Sequence, residues 1–302
     1  MSGTEALADE FGNIAPDEKI AFKNVEGPAL NLHVFHPTGD GVRGNRVDGD
    51  RLPCIVFFFG GGWSGGTPRQ FFPHSRYLSS RGMVAISAEY RTETSHGTTP
   101  YECVSDGKSA IRWIRANAKD LGVDTRRIVA GGGSAGGHVA AACAAVTAFD
   151  AETDDLSISA VPAALVLFNP AFDNGPEGWG HDRVSERWRE ISPFHNLSEG
   201  HPPVVVFFGT EDTLVPVSKA EAYRDKVEAF GSRCDLFLYP GQPHAFFNYR
   251  GGSNPYYDAT VYEADRFLES LGYLTGEPRI AKPNVDVMGR GAGPLGDLDS
   301  IR

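Results

Sequence analysis

The spacing of hydrophobic and polar positions changes character at Cys54. Before it, residues 19–25 and 30–35 alternate apolar and polar side chains, which predicts an antiparallel pair of strands with one wet face. From Cys54 onward the apolar positions run together. Residues 54–59, 83–88, 128–133, 163–168, 204–208 and 234–239 read as strands covered on both faces. Between them, residues 68–81, 103–121, 137–149 and 218–230 read as helices. In the second of these intervals Ile111, Ile114, Ala118 and Leu121 share one face and Gly122 acts as a stop. Tyr257, Val261, Ala264, Leu268 and Leu271 mark one face of a closing helix. Alternating strands and helices predict an α/β fold, with a mostly parallel sheet and helices on both faces.

The remaining stretches set the organisation. Residues 1–18 read as a polar arm, 19–274 as one catalytic domain, and 275–302 as a Gly/Pro-rich tail, an arm suited to a partner such as a second copy. Residues 38–52 form a Gly-, Asp- and Arg-rich loop. Residues 169–202, after the strand ending near Phe168, are an insert long enough to suggest a lid or binding loop; the equal alternative is a satellite cluster on a peripheral helix over 182–190.

A chain of 302 residues with a net charge of -11 lacks the clustered Lys and Arg that hold phosphate backbones, so a nucleic-acid partner is not expected. No apolar run is long enough to span a membrane, and residues 1–10 lack a basic region followed by an apolar one. The chain as given therefore reads as cytoplasmic, or as secreted if a signal was removed. Cys54, Cys103, Cys143 and Cys234 are far apart and fall mostly in apolar or helical runs. They suit buried free thiols better than disulfides or a zinc site, and no metal or cofactor is implied.

Chemistry concentrates at the carboxyl ends of the strands, where open α/β sheets bind ligands. Gly132, Ser134 and Gly136 follow an apolar run and open an alanine-rich segment. G-x-S-x-G in that setting puts a serine hydroxyl on a sharp strand-to-helix turn, which makes Ser134 a candidate nucleophile. A serine needs a base, and imidazole matches neutral pH. Of nine histidines, His244 follows the last core strand in a short Gly/Pro-bounded loop and is the candidate base. His138, one helical turn past Ser134, is expected to pack or bond locally. Asp212, at the end of the strand before, is the candidate acid, with Glu211 and Asp173 in reserve. Gly60, Gly61 and Gly62 can turn backbone N–H groups toward a developing oxyanion.

Taken together, these blocks resemble the α/β-hydrolase superfamily. The closer likeness is to its esterase/lipase branch, typified by hormone-sensitive lipase relatives and bacterial acetyl and carbohydrate esterases. The resemblance is carried by residues 59–63 (FGGGW), 89–91 (EYR), 132–137 (GGSAGG), 209–212 (GTED) with Val215 and Pro216, and 241–247 (GQPHAFF). It implies Ser134 as nucleophile, Asp212 as acid, His244 as base, and the N–H groups of Gly61, Gly62 and Ala135 as an oxyanion hole. The chain departs from the family in two respects: Phe59 stands where the H-G-G-G block has a histidine that braces the glycine loop. A long N-terminal cap is also missing, which favours an open site.

The expected activity is serine carboxylic ester hydrolysis through an acyl-enzyme, preferring short acyl groups such as acetyl, on a small-molecule or carbohydrate alcohol. Trp63, Trp179 and Phe246 are expected to contact substrate, with Phe71, Phe72, Trp188 and Tyr249 as further rim aromatics. A peptidase or amidase of the prolyl-oligopeptidase type, and a non-catalytic binding protein on a hydrolase fold, are the alternatives.

Overall fold

The structure, a computed structural model, describes residues 13–38, 51–252 and 254–290. Nine strands form one sheet: β1 (Glu18–Lys23), β2 (Leu30–Phe35), β3 (Leu52–Phe58), β4 (Val84–Ala88), β5 (Val123–Gly133), β6 (Ala164–Phe168), β7 (Val204–Gly209), β8 (Cys234–Tyr239) and β9 (Met288–Arg290). Their order across the sheet is β1-β2-β4-β3-β5-β6-β7-β8-β9. The β1–β2, β2–β4 and β8–β9 pairs are antiparallel; the others are parallel.

The continuous apolar runs are explained by two buried faces. In β3, Cys54, Val56 and Phe58 point into one core while Ile55 and Phe57 point into the other. The first core also takes side chains from α2 (Pro100–Ala116), α3 (Ala135–Ala145) and α4 (Val217–Ala229); the second takes them from α1 (Phe72–Ser80) and α5 (Pro255–Ser270). Each such aliphatic or Phe side chain contributes about 1.5–3 kcal/mol on burial. All four cysteines are buried free thiols.

Several expected boundaries shift for local reasons. The α2 helix begins at Pro100, because Thr99 and Glu102 form a capping box: the Thr99 N–H donates to Glu102 Oε2 at 2.8 Å. The helix expected over 182–190 is broken into His181–Val184, a 3₁₀ turn at Ser185–Arg187, and Trp188–Ile191, with Ser185 at φ 43° making the break. Of the expected arm, residues 13–18 are described, and Asp17 accepts from Arg76 at 2.9 Å and from the His36 N–H at 2.8 Å. Most of the expected loop at 38–52 lies outside the described residues.

The first part of the expected tail is held against the domain. Arg81, ion-paired with buried Asp265 at 2.6 Å, donates to the carbonyls of Thr275 at 3.2 Å and Gly276 at 2.6 Å. Residues 288–290 then add the edge strand β9; residues 291–302 lie outside the described residues.

Candidate active site

Ser134 stands on the turn between β5 and α3 at φ 53°, ψ -120°, a conformation that costs a non-glycine residue free energy and is found at functional turns. Neighbouring backbone must come very close for this. A Cβ at Gly136 would lie 2.1 Å from the Phe58 carbonyl oxygen, so no larger residue fits there. Ala135 is the first residue of α3; its N–H is one of the four that a helix leaves without an internal acceptor, at the positive end of the dipole.

Parallel pairing of β7 with β8 brings the two following loops side by side. They are tied by Glu211 N–H to the Gln242 carbonyl at 3.0 Å and by Gly241 N–H to Thr210 Oγ1 at 2.8 Å. Gly209 permits this approach, since a Cβ there would lie 2.1 Å from the Gln242 oxygen. The result places His244 Nδ1 2.6 Å from Asp212 Oδ2 and His244 Nε2 2.9 Å from Ser134 Oγ. Asp212 is fixed in turn by the Leu214 and Val215 N–H groups, each 2.9 Å from its Oδ1. A carboxylate on Nδ1 leaves Nε2 to accept the serine proton. Glu211 is exposed, and Asp173 pairs with Lys219 at 2.7 Å.

The glycine loop is braced from three sides. The Gly60 N–H donates to Gln70 Oε1 at 2.6 Å, and Gln70 Nε2 donates to Asn248 at 2.9 Å. Phe59 stacks on Tyr90 at 4.1 Å, and the Tyr90 hydroxyl donates to the Phe59 carbonyl at 2.6 Å. Arg183, from the insert, donates to the Gly62 carbonyl and to Ser64 Oγ. Glu89 and Arg91 hold the surroundings: Glu89 bonds Asn31 and His33, while Arg91 pairs with buried Asp106 at 2.8 Å.

The expected rim of aromatics is corrected by burial. Trp63 and Phe246 are each 2% exposed; Trp63 packs edge-on against His138 and under Gly180, and Phe246 belongs to the second core. Phe71 and Phe72 are likewise core residues, and Trp188 and Tyr249 are partly buried. Of the three expected substrate contacts, Trp179 lines a cavity of about 520 Å³ between the insert and the residues after Asp212. Its other walls include Glu177, Asp182, Arg183, Thr213 and Leu214.

Two histidines near the site are held neutral by burial. His138, bonded to Asn174 at 2.9 Å, is lowered to about 4, and His74, caged by Phe57, Phe71, Phe168, Phe247 and Tyr257, to about 3. Sequence reading missed Asn169, Gln70 and Arg183. Asn169 Nδ2 lies 3.2 Å from His244 Nε2. Before a proline at a strand end, Asn169 carries only a turn signal; Arg183 lies in the expected peripheral helix over 182–190, which the structure breaks into short turns.

Residues 44–164 match the BD-FAE family model and residues 179–271 the dienelactone hydrolase family model. Esterase LipC of Mycobacterium tuberculosis is 29% identical over 216 residues, 64% of this chain and 53% of that protein. The carboxylesterase NlhH of the same species is 37% identical over 97 residues, 32% of this chain and 30% of its own length. The chain thus spans about half the length, or less, of these curated relatives. The apo structure of Thermogutta terrifontis esterase 2 superposes with a TM-score of 0.81 at 38% identity, covering 88% of this chain and 98% of that one. That enzyme has also been solved with propionate bound and phosphonylated by sarin. With an α/β sheet of this order and a relative this similar over nearly its whole length, the chain belongs to the α/β-hydrolase superfamily, in its esterase/lipase branch.

Proposed function

We propose that the chain is a serine carboxylic ester hydrolase, with Ser134 as nucleophile, His244 as base and Asp212 as the acid that orients it. The observation that carries this reading is the unbroken line from Asp212 Oδ2 through His244 to Ser134 Oγ, at 2.6 and 2.9 Å. As Ser134 attacks the ester carbonyl, its proton passes to His244 Nε2. The tetrahedral oxyanion is held by the N–H groups of Gly61, Gly62 and Ala135. His244 then protonates the leaving alcohol, and water repeats the cycle on the acyl-enzyme.

The substrate is a short acyl ester, acetyl first, of a hydroxyl-rich alcohol. The insert cavity supports the alcohol half: the Trp179 ring offers a face for a sugar ring, and Glu177, Asp182 and Thr213 offer partners for hydroxyls. Structures of the Thermogutta relative with propionate and butyrate bound support the short acyl half. A p-nitrophenyl ester series from acetate to palmitate, with p-nitroacetanilide alongside, tests the reading. Turnover is expected to peak at the shortest esters and to be negligible on the anilide. A peak at long chains would overturn the acyl preference, comparable anilide turnover would favour an amidase, and no turnover at all would favour a binding protein.

A further inference from the structure

We propose that Asn169 is a further catalytic residue: its side-chain amide donates to the same imidazole nitrogen that takes the Ser134 proton, selecting the reactive tautomer and opposing protonation of that nitrogen at rest. This rests on reading Ser134 and His244 as nucleophile and base. Asn169 is fully buried at the end of β6, at φ 34°, with its N–H bonded to the Phe207 carbonyl at 2.7 Å. Its Oδ1 accepts the N–H of Ala245, the residue after His244, at 3.0 Å. That bond settles which way the amide points, because only the oxygen can accept. The NH₂ group therefore faces His244 Nε2 at 3.2 Å.

Two donors, Ser134 Oγ–H and Asn169 Nδ2–H, converge on one lone pair when the ring proton is on Nδ1, toward Asp212. In the other tautomer an Nε2–H would meet the Asn169 N–H while a bare Nδ1 met the Asp212 carboxylate, so both contacts would repel. The consequence continues through the reaction. When the Ser134 proton reaches Nε2, it too confronts the Asn169 N–H. The imidazolium is thereby pressed to give that proton to the alkoxide oxygen as the ester C–O bond breaks, which returns Nε2 to the acceptor state. Among the described residues Asp212 is the one charged group bonded to the ring.

The test is the pH profile of kcat/KM on p-nitrophenyl acetate for the native chain, Asn169→Asp and Asn169→Ala. Asn169→Asp keeps the size and the Ala245 contact but offers Nε2 an acceptor carboxylate. Its acid limb is expected to move up by about one pH unit or more, a loss of about tenfold near pH 6 that recovers in base. In Asn169→Ala the limb is expected to move the same way by less. A purely structural role would lower kcat alike at every pH; an unmoved limb in both variants overturns the proposal, and if the Asp variant does not fold, the Ala variant decides. The ¹⁵N ring shifts of His244, assigned by their loss in His244→Ala, report its titration without turnover. Absence of Ser134-dependent turnover would sink the esterase reading alone, whereas identical His244 titrations in native and Asn169 variants would sink this one.

Discussion

His74 offers a prediction whose magnitude can be worked through. Both ring nitrogens are buried without a partner, and five aromatic rings lie within 4.8–6.1 Å of the imidazole. Burial alone lowers it from the ordinary 6.5 to about 3. The folded state thus refuses a proton that the unfolded chain accepts below pH 6.5, so the stability His74 provides is fully present above that pH. It is lost progressively as the pH falls toward 3. At pH 5 the loss is set by the gap between 6.5 and 5, because the folded value lies well below both; at about 1.4 kcal/mol per pH unit it amounts to about 2 kcal/mol. His138 and His201, each lowered to about 4 by burial, add similar losses, about 6 kcal/mol for the three. Against a typical total of 5–15 kcal/mol this is severe. The assay is urea unfolding at pH 7.5 and at pH 5 for the native chain and for His74→Phe, which keeps the ring and removes the titration. The variant is expected to lose about 2 kcal/mol less than the native chain between the two pH values. Other groups cancel in that difference. Equal losses in the two proteins would refute the reasoning.

The braces on the glycine loop give further tests. Arg183 is exposed, so Arg183→Ala should leave the melting temperature within a few degrees while releasing the Gly62 carbonyl; kcat on p-nitrophenyl acetate is expected to fall about tenfold or more, since oxyanion donors act only when fixed. Gln70→Ala, which frees the Gly60 N–H and the Asn248 contact, should lower kcat in the same way with KM little changed. A kcat that holds in both would mean that the loop is rigid without them.

Much of this architecture was legible in the sequence for a physical reason: a strand buried on both faces must be apolar throughout, so β3 through β8 stand out as continuous runs. The meeting of Ser134, Asp212 and His244 was legible because strand ends gather in one place, whatever the loops between them do. The Thr99–Glu102 capping box, by contrast, went unread, and it starts α2 at Pro100, three residues before the expected position. Other features left no local mark. Trp63 and Phe246 look like ligand contacts because a buried aromatic and an exposed one are the same letter; only Gly180 crowding Trp63 and the neighbours of Phe246 decide between them. Strand β9 is three residues long and owes its existence to the open edge of β8, a partner 49 or more residues away in sequence. Phe59 raised the question of what braces the glycine loop in place of the family histidine. Gln70, Tyr90 and Arg183 answer it from three separate parts of the chain.

The most direct measurement of the central claim is p-nitrophenyl acetate turnover by the native chain, Ser134→Ala and His244→Ala, each checked for folding by circular dichroism. The account requires a robust native rate and a fall on the order of a thousandfold or more in both variants, because nucleophile and base act as one unit. A native rate that survives Ser134→Ala would contradict it.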